Sequence, residues 1–177
     1  MMKFMRPYLI LTPLLILLAY CVNPAPAQDL QAPSKQFVCM KEAIYFEAGN
    51  QPLVGKFAIA YVILNRVNHA KYPDTICKVV HQGPISKWHK EARGKIVPIK
   101  NKCQFSYWCD GKPERFVEQS VSYRESTEVT QMVFAGGDKF IFDPTEGATH
   151  YHATYVSPAW SKHLKKTVHI QDHIFYK

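Results

Sequence analysis

Glu47 is the carboxyl group in this sequence best placed to keep its proton. It stands in the run Ala43-Ile44-Tyr45-Phe46-Glu47-Ala48, with apolar and aromatic neighbours and Gly49 two residues on. Burial beside Tyr45 and Phe46 disfavours the ionised form. A helix C-terminus adds the negative end of the helix dipole, and both effects raise a carboxyl pKa. A carboxyl still protonated near neutral pH is what a general acid at a glycosidic oxygen requires. Taken alone, the same pattern also fits a surface glutamate at a frayed helix end.

No later carboxylate announces itself as a nucleophile. Asp74, Asp110, Asp138 and Asp143 all follow Glu47. Asp143, in DPTEGA, reads first as a turn residue bonding the backbone and second as a partner carboxylate. Gln104 and Ser106, in CQFS, carry groups suited to sugar hydroxyls or acetamides. Trp108, Tyr151 and Trp160 have faces that stack on sugar rings, although aromatics in a chain this size more often fill the core. His150 and His152 share one face of an expected strand and are assigned to the cleft lining. As metal ligands they would need His173 or Asp143 as a third, and no HExxH motif supports that. His173 reads as structural. Asn65 and Arg66 close an apolar helix, Asn65 to bond backbone near the site and Arg66 to pair with a buried acid.

The elements that must position these groups are legible from caps and periodicity. Ser34 caps a helix over 35–48, with Gly49 as its stop. Pro52 opens a second helix to about Asn68, apolar nearly all round and therefore central. Asp74 or Thr75 caps a short third helix through Val80. Residues 83–102 read as a basic surface loop, in which Lys87, Lys90, Arg93, Lys95, Lys100 and Lys102 face only Glu91. A further helix is expected from Glu114 to Ala135, stopped by Gly136-Gly137. Strands follow, around Phe140–Phe142, over Thr149–Val156 and over Thr167–Tyr176. Helices first and a few strands last give the α+β class, with a small sheet near the C-terminus.

Lys3 and Arg6, an apolar run from Tyr8 to Tyr20 and Ala25-Pro26-Ala27 form the pattern of a secretory signal peptide, cleaved after Ala27. A lipoprotein lipidated at Cys21 is the alternative, disfavoured by the bulky Tyr20. The expected organisation is a signal peptide at 1–27, a polar leader at 28–34 and one domain at 35–177, periplasmic or secreted. Removing Lys3 and Arg6 lowers the formal net charge from +8 to +6. Such a basic exported domain suits an anionic polymer such as cell wall, and export argues against nucleic acid. Membrane contact is expected only through the signal segment, and the domain is expected to be a monomer. Four cysteines then remain, Cys39, Cys77, Cys103 and Cys109, in a compartment that favours disulfides. Of three possible pairings, a local Cys103–Cys109 loop with a Cys39–Cys77 helix staple is preferred.

Four blocks, in order, resemble the SleB/CwlJ cell-wall hydrolase family. They are CMKEAIYFEA at 39–48, the stretch from Gly55 to Gln82 with AIAYVILNRV and YPDTICKVVHQ, CQFSYWCDG at 103–111, and the tail DPTEGATHYHA, VSPAW and HIQDHIFY. The resemblance covers about Lys35 to Lys177. It implies a lysozyme-like domain related to lytic transglycosylases, with Glu47 as the catalytic acid and no cofactor. Its substrate would be the peptidoglycan glycan strand, cut between N-acetylmuramic acid and N-acetylglucosamine. Gln104, Ser106, His150, Tyr151, His152 and Trp160 would bind substrate. A lytic transglycosylase needs no second carboxylate, unlike two-carboxylate glycosidases. The sequence departs from the family in places. Many members read EARGE after the acid, where Gly49 and Gln51 stand here, and Gln171 replaces a glycine in the ending IGxH. A zinc-dependent N-acetylmuramoyl-L-alanine amidase acting through His150 and His152, and a non-catalytic wall-binding module, are the alternatives.

Overall fold

Ser34 accepts a hydrogen bond from Phe37 N at 3.2 Å and starts helix α1, Lys35–Ala48, at the expected residue. The computed structural model describes residues 33–136 and 142–177. The expected signal peptide with Cys21, most of the leader, Asp138, Phe140 and Ile141 lie outside the described residues. Phe142 is exposed and in no strand. Helix α1 buries Met40, Ala43, Ile44 and Ala48 against α2, Leu53–Val67, α3, Ile76–Val80, and α5, Val121–Gly136. Helix α2 is the central one: Ala58, Ile59, Ala60, Val62 and Ile63 are all fully buried. The carbonyl of Pro52 accepts from Gly55 and Lys56 N to begin it, and Thr75 Oγ1 caps α3.

Gly49 ends α1, but not through a left-handed turn, since its φ is −57°. Packing explains the glycine. A Cβ added there would lie 2.5 Å from Tyr45 O and 2.7 Å from Ser122 Oγ on α5. The carbonyls left free at this end of α1 are met by Lys56. This buried lysine donates to Gly49 O at 3.1 Å and to Gln51 O, and pairs with Glu125 at 3.1 Å.

Four expectations need correction. Residues 83–102 are not all loop: α4 spans Lys87–Arg93, with Ser86 as N-cap and Gly94 at φ +61°. It buries no residue, which is why apolar periodicity missed it. Helix α5 starts at Val121 rather than Glu114. Ser120 Oγ accepts from Tyr123 N at 3.1 Å, and the chain before it is held off axis. There, Phe116 packs on Tyr45, Phe46 and Tyr123, and Val117 N donates to Tyr45 OH at 3.2 Å.

The last expected strand is in fact a hairpin of β2, Lys166–Ile170, and β3, His173–Tyr176. Its turn puts Gln171 at φ +49°, a conformation in which glycine is the unstrained residue. Strand β1, His150–Ala153, is shorter than the expected 149–156 and pairs antiparallel with β3, giving the order β1-β3-β2. Both preferred disulfides are present. Cys39–Cys77 ties α1 to α3, and Cys103–Cys109 closes a loop around the 3-10 turn Ser106–Cys109.

Candidate active site

The C-terminal turn of α1, the cysteine-closed loop and β1 converge on one side chain. Glu47 Oε1 accepts from Ser106 N at 3.1 Å, with Ser106 Oγ at 3.5 Å. Its other oxygen, Oε2, accepts from the Tyr151 hydroxyl at 3.0 Å. Each contact has a structural origin. Phe105 is fully buried and anchors the loop, so the 3-10 turn that follows aims its first amide at Glu47. Tyr151 points from β1 toward α1, stacked on Phe175 of β3. His150 and His152, its neighbours in the strand, both pack on Trp160.

Two cavities of about 340 Å³ each meet over this group, and Glu47, Ser106 and Tyr151 line both. The first is also walled by Arg66, Gln104, His150 and Trp160. The second runs past Phe46, Asn50, Gln51, Tyr155 and Asp172. Glu47 therefore lies in the shared wall of two cavities, which we term the two arms of one cleft.

Burial raises the Glu47 pKa above the ordinary carboxyl value and outweighs the hydrogen bonds from Tyr151, Ser106 and Tyr107, which act to lower it. Tyr151 is itself pushed well above the ordinary phenol value, first by burial and then by the neighbouring Glu47 charge. It keeps its proton and so remains a donor. His150 is lowered by burial and by Arg66, leaving its imidazole neutral at pH 7.

The cleft gathers most of the residues singled out from sequence. Gln104, Ser106, His150, Tyr151 and Trp160 share the cavity with Glu47. His152 stands apart, bonded to the Tyr176 hydroxyl at 2.9 Å. Trp108 stacks on His81, and it lines neither arm. Asp143 is a turn residue: it accepts from Thr145 N at 2.7 Å, Gly147 N at 2.8 Å and Asn65 Nδ2 at 3.0 Å. Burial acts to raise its pKa, but these bonds prevail and hold it below the ordinary value. Asn65 also bonds Ala148 O. Arg66 forms no ion pair among the described residues, and the buried Glu47 acts on it only through space. Its Nε donates to Thr149 O at 2.7 Å.

Sequence reasoning missed two features. Tyr151, expected as a stacking ring, donates its hydroxyl to Glu47. Asp172, which no local motif marks, lines the second arm, where Gln51 Nε2 donates to it at 2.9 Å. Among the described residues, no group of three or more His, Cys, Asp or Glu is placed to hold a metal ion.

The Cell Wall Hydrolase family model matches residues 50–176, a span that begins just after Glu47. Two spore cortex-lytic enzymes align over 43 residues, 24% of this chain. That of Oceanobacillus iheyensis is 46% identical with 16% of its length covered, and that of Halalkalibacterium halodurans 44% identical with 13% covered. The aligned part is thus a small fraction of those proteins. Among solved structures, the catalytic domain of the germination-specific lytic transglycosylase SleB from Bacillus anthracis superposes with a TM-score of 0.52. The two chains share 23% identity, over 83% of this chain and 98% of that one. At that identity the likeness is one of fold.

Proposed function

The chain belongs to the cell wall hydrolase family, and from that membership we propose that it cuts the glycan strand of peptidoglycan, with Glu47 as the acid. The observation carrying this reading is the placement of a carboxyl with a raised pKa in the wall shared by two cavities. The bond cut would join N-acetylmuramic acid to N-acetylglucosamine.

In this mechanism burial keeps the proton on Glu47 until a glycosidic oxygen lies against it. Proton transfer to that oxygen breaks its bond to the anomeric carbon and releases the leaving sugar's hydroxyl. The carboxylate so formed is held by Ser106 N–H and the Tyr151 hydroxyl, which favour the charged form. The muramic C6 hydroxyl then attacks the anomeric carbon and gives its proton to Glu47. This leaves a 1,6-anhydro end and restores the acid. Gln104, His150 and Trp160 would contact the sugar rings.

Asp172 supports a second reading, in which water rather than the C6 hydroxyl is the nucleophile and Asp172 activates it. Its carboxylate is engaged by Gln51, and Gln51 Oε1 in turn accepts from Asp172 N at 3.4 Å, so a structural part suits it better. Digesting purified peptidoglycan with wild type, Glu47→Gln and Asp172→Asn and weighing the products separates the readings. Anhydro ends from wild type and Asp172→Asn, and none from Glu47→Gln, are expected. Ordinary reducing ends that vanish with Asp172→Asn would establish hydrolysis. Equal activity in Glu47→Gln would end both.

The amidase alternative is not favoured: His150 lies 3.4 Å from Tyr72 OH and 3.0 Å from Thr149 Oγ1, and His152 faces Tyr176. Export is part of the proposal. The two disulfides support an oxidising compartment, and the pattern over residues 1–27 supports a signal peptide.

A further inference from the structure

Arg66 sits in the wall of the first arm of the cleft, without an ion-pair partner among the described residues. It is 3% exposed. Its guanidinium lies between two rings, 5.3 Å from the centroid of Tyr72 and 5.4 Å from that of Phe105. Its Nε is satisfied by Thr149 O, but Nη1 is buried with no partner, and among the described residues Arg66 makes no ion pair. Among the described residues the one carboxyl group in that cavity wall is Glu47, whose two oxygens are already engaged. A guanidinium stays charged even when buried, and a buried charge is costly unless it is paired. Arg66 thus presents a desolvated cation to a cavity whose one carboxyl among the described residues, Glu47, acts on it through space without forming an ion pair with it. Packing between two rings leaves it little freedom to lose when an anion arrives, and a carboxylate matches its planar fork.

We propose that Arg66 is the anion-binding group of this arm and takes a carboxylate carried by the glycan strand, either the free lactyl carboxylate of N-acetylmuramic acid or a carboxylate of the peptide attached to it. The assignment rests on the glycan-strand reading and deepens it. Gln104 and Trp160, in the same wall, would hold the sugar that carries the charge. A neutral glycan of the same length would fill the cleft without meeting Arg66.

The test is binding, measured by NMR titration of the purified protein without turnover. The probes are N-acetylmuramic acid, its lactyl methyl ester, N-acetylmuramoyl-L-alanine and N-acetylglucosamine. The expected result is a dissociation constant lower by about tenfold for a charged probe than for the neutral ester and N-acetylglucosamine, with the advantage shrinking in high salt. Preference for free N-acetylmuramic acid identifies the lactyl carboxylate, and preference for N-acetylmuramoyl-L-alanine identifies the peptide carboxylate. In Arg66→Gln the advantage disappears, and in Arg66→Lys part of it returns. If Arg66→Gln does not fold, the charged and neutral probes on wild type still decide the matter. Equal binding of all four probes overturns the subsite and leaves the glycan-strand reading standing. Binding of none overturns both.

Discussion

The Tyr151 hydroxyl lies 3.0 Å from Glu47 Oε2, a contact between residues 104 positions apart that joins β1 to the last turn of α1. That bond lowers the Glu47 pKa, against the larger effect of burial. Tyr151→Phe removes it, so Glu47 should hold its proton to higher pH. The alkaline limb of the pH–rate profile is expected to move up in pH, while kcat at the optimum falls by roughly tenfold or more because the nascent carboxylate loses a donor. A limb that stays in place would mean that the bond does not tune the acid.

Glu47→Gln separates activity from stability. Loss of the general acid is expected to cost about 100-fold or more in rate. Stability should move the other way. A carboxyl whose folded pKa is raised stabilises the fold below its unfolded value and loses that contribution as pH rises through the folded value. Glu47→Gln should therefore melt close to wild type near pH 4 and above it near pH 7. Thermal unfolding at the two pH values reads the difference.

The disulfides do different jobs. Cys39–Cys77 has a sequence separation of 38 and joins two core helices, so replacing both residues with serine should cost about 3–4 kcal/mol. Cys103–Cys109 closes a separation of 6 and should cost less, about 2 kcal/mol. Its loss frees the loop that brings Ser106 N to Glu47, so activity should drop further than stability predicts. Denaturant melts beside turnover assays on the two double mutants check the contrast.

Lys56→Met leaves Glu125 and the carbonyls of Gly49 and Gln51 without their cation. A loss of about 2–3 kcal/mol is expected, below that of a fully buried pair because Glu125 is 28% exposed. Denaturant unfolding of this variant, beside Glu125→Gln, measures it.

Gln171→Gly should stabilise the chain by about 0.5–1 kcal/mol, because glycine adopts the positive φ of the β2–β3 turn without strain. A lower melting temperature would show that the glutamine side chain contributes more than its backbone costs.

Local signals were read well from sequence. Ser34 and Thr75 cap the helices predicted for them, α1 has its expected ends, and both disulfides join the expected cysteines. Gln104, Ser106, His150, Tyr151 and Trp160, all singled out from the sequence, line one cavity with Glu47, whereas His152 does not. What the sequence concealed depends on distant chain segments or on a broken local rule. Nothing near residue 151 says that its hydroxyl meets residue 47. The β2–β3 turn lacks the glycine that would have marked it, so two strands read as one and Asp172 went unseen at the rim of the cleft. The start of α5 is set by Phe116 and Val117 packing on Tyr45, a tertiary effect that overrides helix propensity.

Gly49 also constrains the routes by which this sequence can change. Its backbone is helical, so a larger residue is not barred by torsion, but Tyr45 O and Ser122 Oγ already occupy the space a side chain would need. A larger residue at 49 would need both the Tyr45 carbonyl and the Ser122 side chain to give way. Exchange at 49 and repacking at 122 are therefore coupled, and the close approach of α1 to α5 depends on a small residue beside Glu47.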